Sequence, residues 1–280
     1  MKMAETKANH TLEKIKNQKV LVIGDLVLED NIVGDANQIS QEAPVPLIDV
    51  KRNTFSLGGA GNLASTISAL KSTAYLVGVV GKDETSKKLI SRLHEHEVQT
   101  EYIVTDHTRH TNKVSRIFAK DQYLSILDFG GSGPVSERTT EKIKQNIEKL
   151  VPEVDIVIIS DLARGLITKE LVYEINKTCE KHNKKVIVRP DMRHKDYYMG
   201  VHLVVPTLEE VLKIMGYSYS PEHLEKIGEE LTYYFDSHLL IDKHHRGAAY
   251  FNKHGNSFEV SSRLARTIDV SGARSTFIGV

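Results

Sequence analysis

Near the end of the chain, Thr267–Val280 (TIDVSGARSTFIGV) sets an acid, small residues and hydroxyls in close order. Asp269 follows an apolar stretch; Ser271, Gly272 and Ala273 come next, and then a segment able to turn helical. Small residues at a strand-to-helix junction leave backbone N–H groups open, and the positive end of a helix dipole favours an anion there. The pattern reads either as an anion cradle or as a plain turn, because Gly and Ser punctuate loops of every kind. Ser275 holds the place best suited to chemistry, but a serine hydroxyl takes no proton near neutral pH without a base of its own.

Other candidates lie where short apolar runs end. Gly24-Asp25 closes one, Ser160-Asp161 another, and Pro206–Glu210 (PTLEE) a third. In open α/β sheets ligands bind at the C-terminal ends of parallel strands, where Asp25 can accept hydrogen bonds from hydroxyls or merely cap a loop. A carboxylate such as Glu210 at such a place can hold Mg²⁺ through water. Gly58-Gly59-Ala60-Gly61-Asn62 opens a helical pattern; it is either a tight turn or a close-approach site, with Asn62 able to donate and accept. No GxxxxGK[ST] run accompanies it. The 13 histidines include the neighbours His244-His245, whose side chains diverge on a helix and oppose on a strand, and no HExxH or Cys/His cluster occurs.

The elements that must hold these residues alternate in type. Apolar β-rich runs at 19–24, 74–80, 155–160, 185–188, 202–205 and 238–241 are separated by helical patterns at 61–70, 84–95, 136–150, 169–182, 208–215 and 222–235. That alternation predicts an α/β fold with a mostly parallel sheet covered on both faces. Two regions break it: 45–50, after the EAPVP run, and 103–128, which reads as successive strands. They predict either a small antiparallel flap beside the main sheet or an ordinary edge hairpin. Residues 248–251 and 257–260 flank a KHGN turn and predict a further hairpin.

Composition bounds the partners. Of 280 residues, 40% are apolar, enough for a sizeable core, and Lys+Arg balances Asp+Glu at 37 each. A neutral chain supplies no electrostatic attraction to nucleic acid or to an anionic membrane, and no apolar run approaches the length of a span. Residues 1–18 read as a polar N-terminal helix without the core of a signal peptide. Cys179 is the single cysteine, so no internal disulfide forms and a reducing cytoplasm is the expected location.

GDLVLED, ISQEAPVPLIDV, LGGAGNLASTISAL, YLVGVVGKDE, SILDF, IISDLARG and TIDVSGARSTFIGV follow one another in the order and spacing of a known family. The chain resembles the ribokinase (PfkB) carbohydrate kinases over about residues 19–280, and EAPVP resembles their heptose-7-phosphate kinase branch. The resemblance implies a ribokinase-like doubly wound sheet with a β-flap lid, here at about 45–50 and 103–128, and dimerisation through that lid. It implies ATP and Mg²⁺ as cofactors and a sugar phosphate as acceptor. By position, Asp25, Gly58, Gly59 and Asn62 match sugar-binding residues, Glu42 lies in the EAPVP segment, and Arg116 resembles a sugar-phosphate contact. Glu210 matches the metal-linked glutamate and Gly247 a glycine on the nucleotide side. Ser271, Gly272 and Ala273 match the anion hole, with Asp269 leading it.

The departures fall on the same sites. The family's GAGD, ending in the catalytic base, is GARS here, giving Arg274 and Ser275. Its NxxE is TLEE, so Thr207 replaces Asn, and its D-P-K is Arg189-Pro190-Asp191. Glu29 stands for a second sugar-site aspartate and Ile126 for a lid arginine. The chain stops five residues after Ser275, where family members continue with elements that wall the adenine pocket. Two readings follow: an ATP-dependent sugar-phosphate kinase with an imperfect base, or a catalytically silent relative that binds a sugar phosphate or acts as a scaffold.

Overall fold

The computed structural model describes residues 13–120, 122–130, 133–262 and 273–279. Most of the polar helix expected over 1–18, together with Asp269, Ser271 and Gly272, lies outside these residues.

The main sheet has eight strands: β1 (Lys19–Gly24), β4 (Thr73–Val77), β9 (Ile156–Ser160), β10 (Lys185–Arg189), β11 (Leu203–Val204), β12 (His238–Asp242), β13 (Ala248–Phe251) and β14 (Ser257–Val260). Their order is β14-β13-β12-β11-β10-β9-β1-β4, parallel from β4 to β12, with the last two antiparallel. The main sheet starts at β1 and winds outward to both sides, so the switch point lies between β1 and β9. Successive residues of β1 feed opposite faces: Leu21 and Ile23 join one apolar core, Val20 and Val22 the other. Burial on both faces is why these strands read as unbroken Val/Ile/Leu runs.

Seven helices are described: α1 (Gly59–Ala69), α2 (Glu84–Glu95), α3 (Glu137–Leu150), α4 (Lys169–Lys181), α5 (Leu208–Met215), α6 (Pro221–Phe235) and α7 (Ala273–Gly279). Several starts are written locally. Asp83 and Ser86 form a capping box on α2, while Ser136, Thr168 and Ser220 cap α3, α4 and α6. One core takes Ile143, Ile147, Leu171, Ile175, Ile227 and Leu231 from α3, α4 and α6. The other takes Leu63, Ala64 and Ile67 from α1 and Ile278 from α7. A two-stranded piece, β5 (Val79–Val80) with β6 (Val104–Thr105), lies beside them.

The flap is a four-stranded sheet of order β3-β2-β7-β8, built from β2 (Leu26–Ile39), β3 (Pro46–Gly58), β7 (Asn112–Ala119) and β8 (Gln122–Phe129). It is larger than the sequence suggests, and it is mixed. The β2/β3 and β7/β8 pairs are antiparallel, but β2 and β7 run parallel. β2 escapes a pattern reading for a physical reason. Glu29, Asp30 and Asp35 interrupt its apolar residues, and register shifts at Val33/Gly34 and Asp35/Gln38 break the period of two.

Candidate functional site

Register lines up the C-terminal ends of three adjacent strands. Gly24 pairs with Ser160, and Ser160 with Arg189. A Cβ on Gly24 would fall 2.2 Å from the Ser160 carbonyl oxygen, so the first strand needs glycine to reach this edge. Asp25 follows and turns inward. It is buried, and its Oδ2 accepts the N–H groups of Leu162 (2.9 Å) and Arg164 (3.1 Å). Burial raises its carboxyl above the ordinary value, with those backbone donors opposing. Asp25 therefore fastens the loop after β9, whatever else it touches. Its carbonyl oxygen also receives the Ala60 N–H at 3.0 Å. Gly59 makes that approach possible, since its φ is +56° and a Cβ would sit 2.2 Å from the same oxygen.

On the flap side, Arg116 of β7 pairs with Glu29 of β2, Nη1 to Oε2 at 2.9 Å and Nη2 to Oε1 at 3.2 Å. Gly58 packs against the same carboxylate, where a Cβ would lie 3.0 Å from Glu29 Oε1. Asn62, on the first turn of α1, is half-buried, with no hydrogen bond to its side chain among the described residues. Glu42 lies apart, exposed at the turn between β2 and β3, its N–H donating to Ser40 Oγ at 3.1 Å.

Opposite, Thr207 caps α5, accepting the Glu210 N–H at 3.2 Å, and Glu210 Oε2 accepts the Thr207 N–H at 2.8 Å. Arg274 of α7 then grips the same carboxylate, Nη1 to Oε1 and Nη2 to Oε2, both at 2.8 Å, and reaches the Val205 carbonyl oxygen at 3.3 Å. The expected metal carboxylate, Glu210, is thus paired within the chain. Both its oxygens are engaged by a cation of the chain itself, and Thr207 is committed to the cap. Among the described residues no group of three or more His, Cys, Asp or Glu is placed to hold a metal ion. The residues present therefore do not fit Mg²⁺ at Glu210. Ala273 and Ser275 lie in the same short helix as Arg274. Gly247, with φ +101°, borders a cavity of about 400 Å³ shared with Asp242, His244, Tyr250, Phe258 and Phe277.

Arg189 ends β10 on the face covered by α1 and α7, the same side as Ile187. Its Nε is buried without a hydrogen-bond partner among the described residues. Burial and the like charge of Arg274 pull its pKa down to about 10, with Glu210 and Glu29 opposing. The sequence marks Arg189 only as a departure from D-P-K; nothing in its spacing shows that it shares a sheet edge with Val205, which Arg274 reaches. Two further contacts escape a sequence reading. Arg164 forks onto Asp128 of β8 at 2.7 and 2.8 Å, and buried Asn112 donates to the Leu26 carbonyl oxygen at 3.0 Å. The first ties the flap to the loop after β9, the second ties β7 to β2 within the flap, and both cross long stretches of sequence.

A doubly wound sheet with a β-sheet flap at its switch point is the ribokinase-like architecture. Solved structures agree. Arabidopsis thaliana ribokinase complexed with ribose and ATP superposes with a TM-score of 0.72 at 18% identity, covering 94% of this chain and 84% of that one. The tetrameric inhibited form of phosphofructokinase-2 from Escherichia coli gives 0.73 at 17%, covering 94% and 85%. The pfkB family carbohydrate kinase description matches residues 17–280, and the chain belongs to that family. Curated relatives include the bifunctional protein HldE of Desulfatibacillum aliphaticivorans, 30% identical over 94% of this chain and 54% of the relative. HldE of Helicobacter pylori strain HPAG1 is 31% identical over 93% and 57%. The chain thus spans a little over half the length of these relatives. Among the described residues no helix is long and apolar enough to cross a membrane.

Proposed function

We propose that this chain is a sugar-phosphate-binding member of the carbohydrate kinase family in which phosphoryl transfer is silent. The observation that supports the reading is the closure of Arg274 on Glu210. A kinase needs that carboxylate free to work with a metal, and needs a base where Ser275 stands. Losing the base alone costs about 10²–10⁴-fold. Losing the metal carboxylate as well removes the cation that would bridge the phosphate oxygens of the nucleotide during phosphoryl transfer.

On the acceptor side Asp25, Gly58, Gly59 and Asn62 keep the residue types of the family, while Glu29 stands for an aspartate. Glu29, Arg116 and Gly58 form one polar cluster, and Asn62 keeps an uncommitted amide at the start of α1. The EAPVP resemblance points to heptose 7-phosphate as the ligand, with ATP bound weakly. The flap supports a homodimer, because Tyr123, Leu124, Ile126, Leu127 and Phe129 of β8 and Leu47 and Val50 of β3 are all exposed.

Calorimetric titration with heptose 7-phosphate, run beside an assay of ADP release, tests the reading. It expects sugar binding without turnover. Turnover would return the chain to the working kinases, and absence of binding would remove the sugar-phosphate assignment.

A further inference from the structure

One guanidinium closes on a carboxylate at the edge of the main sheet, and a second arginine ends the strand beside it. Arg274 forks onto Glu210 at 2.8 Å through both Nη nitrogens and reaches the Val205 carbonyl oxygen, and Arg189 ends β10, one residue past the Val188–Val204 pair of the neighbouring strand. The Nε atoms of both arginines are buried and lack hydrogen-bond partners among the described residues. A buried N–H without an acceptor is costly, and a planar guanidinium fits phosphate oxygens well. The charge count matters. A divalent cation on Glu210 would leave one net positive charge, and two arginines with Glu210 leave the same (+2 − 1 = +1). The flap pair Glu29–Arg116 is neutral and does not change it.

We propose that Arg189 and Arg274 take the place of the divalent cation, so that a phosphoryl group is held at this edge by guanidinium and its binding needs no metal. The inference rests on the reading of this edge as a phospho-ligand site. It adds that the ligand's charge is met by the chain itself. Arg274 spans Glu210 and the Val205 carbonyl oxygen, which keeps its guanidinium fixed, while the Nε of Arg189 has no hydrogen-bond partner among the described residues.

Two titrations of the whole chain test it. In the first, free Mn²⁺ is followed by electron paramagnetic resonance as protein is added; wild type is expected to take up none. Arg274→Ala combined with Arg189→Met should then admit Mn²⁺, and adding Glu210→Gln should abolish that uptake. In the second, inorganic pyrophosphate is titrated calorimetrically in EDTA and in Mg²⁺. Affinity in EDTA should equal or exceed that in Mg²⁺. Arg189→Met or Arg274→Ala should each weaken it in EDTA about tenfold, and Arg189→Lys should restore most of the loss. Circular dichroism checks that each variant is folded, and the wild-type titrations decide the matter even if a variant is not. Mn²⁺ uptake by wild type that Glu210→Gln removes, a Mg²⁺ requirement for pyrophosphate, or no pyrophosphate binding at all would each overturn the inference. Failure to bind heptose 7-phosphate with pyrophosphate binding intact would instead fault the functional reading and leave this one standing.

Discussion

Arg274 and Glu210 are joined by two hydrogen bonds of 2.8 Å between α7 and the first turn of α5. Because Glu210 also accepts the Thr207 N–H, one carboxylate both caps α5 and anchors α7. Glu210→Ala removes both contacts and leaves Arg274 without its counter-charge, while Arg274→Ala leaves the cap in place. Glu210→Ala should lower stability by about 1–3 kcal/mol and Arg274→Ala by about 1 kcal/mol. Urea unfolding measures both, and a larger loss for Arg274→Ala would contradict this division.

The flap pair gives a second expectation. If the sugar phosphate lies against Arg116 and Asn62, Asn62→Ala should weaken its binding by roughly 1–3 kcal/mol, the cost of leaving a polar partner unmet. Arg116→Ala should weaken it at least as much, since it also strands the Glu29 carboxylate. Isotherms for the variants that overlay wild type would remove the sugar from this side of the site.

How far the sequence carries depends on the range of the interaction. The strands of the main sheet and the helices between them are legible because each is a local apolar pattern buried on one or both faces. α5 runs over the residues its pattern indicates, 208–215, closed by the Thr207/Glu210 box and by Gly216 in the left-handed region. β2 is illegible, because acidic residues and bulges mask its alternation. The ionic design of the site is also illegible. Arg274 and Glu210 lie 64 residues apart, and Arg164 and Asp128 36 apart. GARS indicates that a base is missing; only the fold shows which carboxylate the new arginine takes.

Acid sensitivity should centre on Asp106. Burial works against its ionisation, but the Thr108 hydroxyl and N–H and the Ser136 N–H hold it well below the ordinary 3.8. A depressed carboxyl contributes stability that is present above the unfolded value and lost as pH falls toward the folded one. Asp106→Asn should therefore cost about 1–3 kcal/mol near neutrality, and the gap from wild type should narrow as pH drops below about 4. Urea midpoints across that range check it; a gap of constant size would contradict the assignment.

The exposed flap strand predicts self-association. Ile126 is 56% and Phe129 48% exposed on β8, an outer strand of its sheet. Light scattering after size exclusion should give a dimer mass for wild type and a monomer for Ile126→Glu, with the melting transition of the fold retained. A monomeric wild type would refute the dimer.

The silence of phosphoryl transfer is tested most directly in a single turnover, with protein in excess over γ-labelled ATP and heptose 7-phosphate saturating in the presence of Mg²⁺. No label is expected in the sugar above the protein-free rate, in a preparation whose calorimetric binding of the sugar phosphate is intact. Label transferred to the sugar well above the protein-free rate by wild type would contradict it, and would mean that Ser275 and the Arg274–Glu210 closure do not block the reaction.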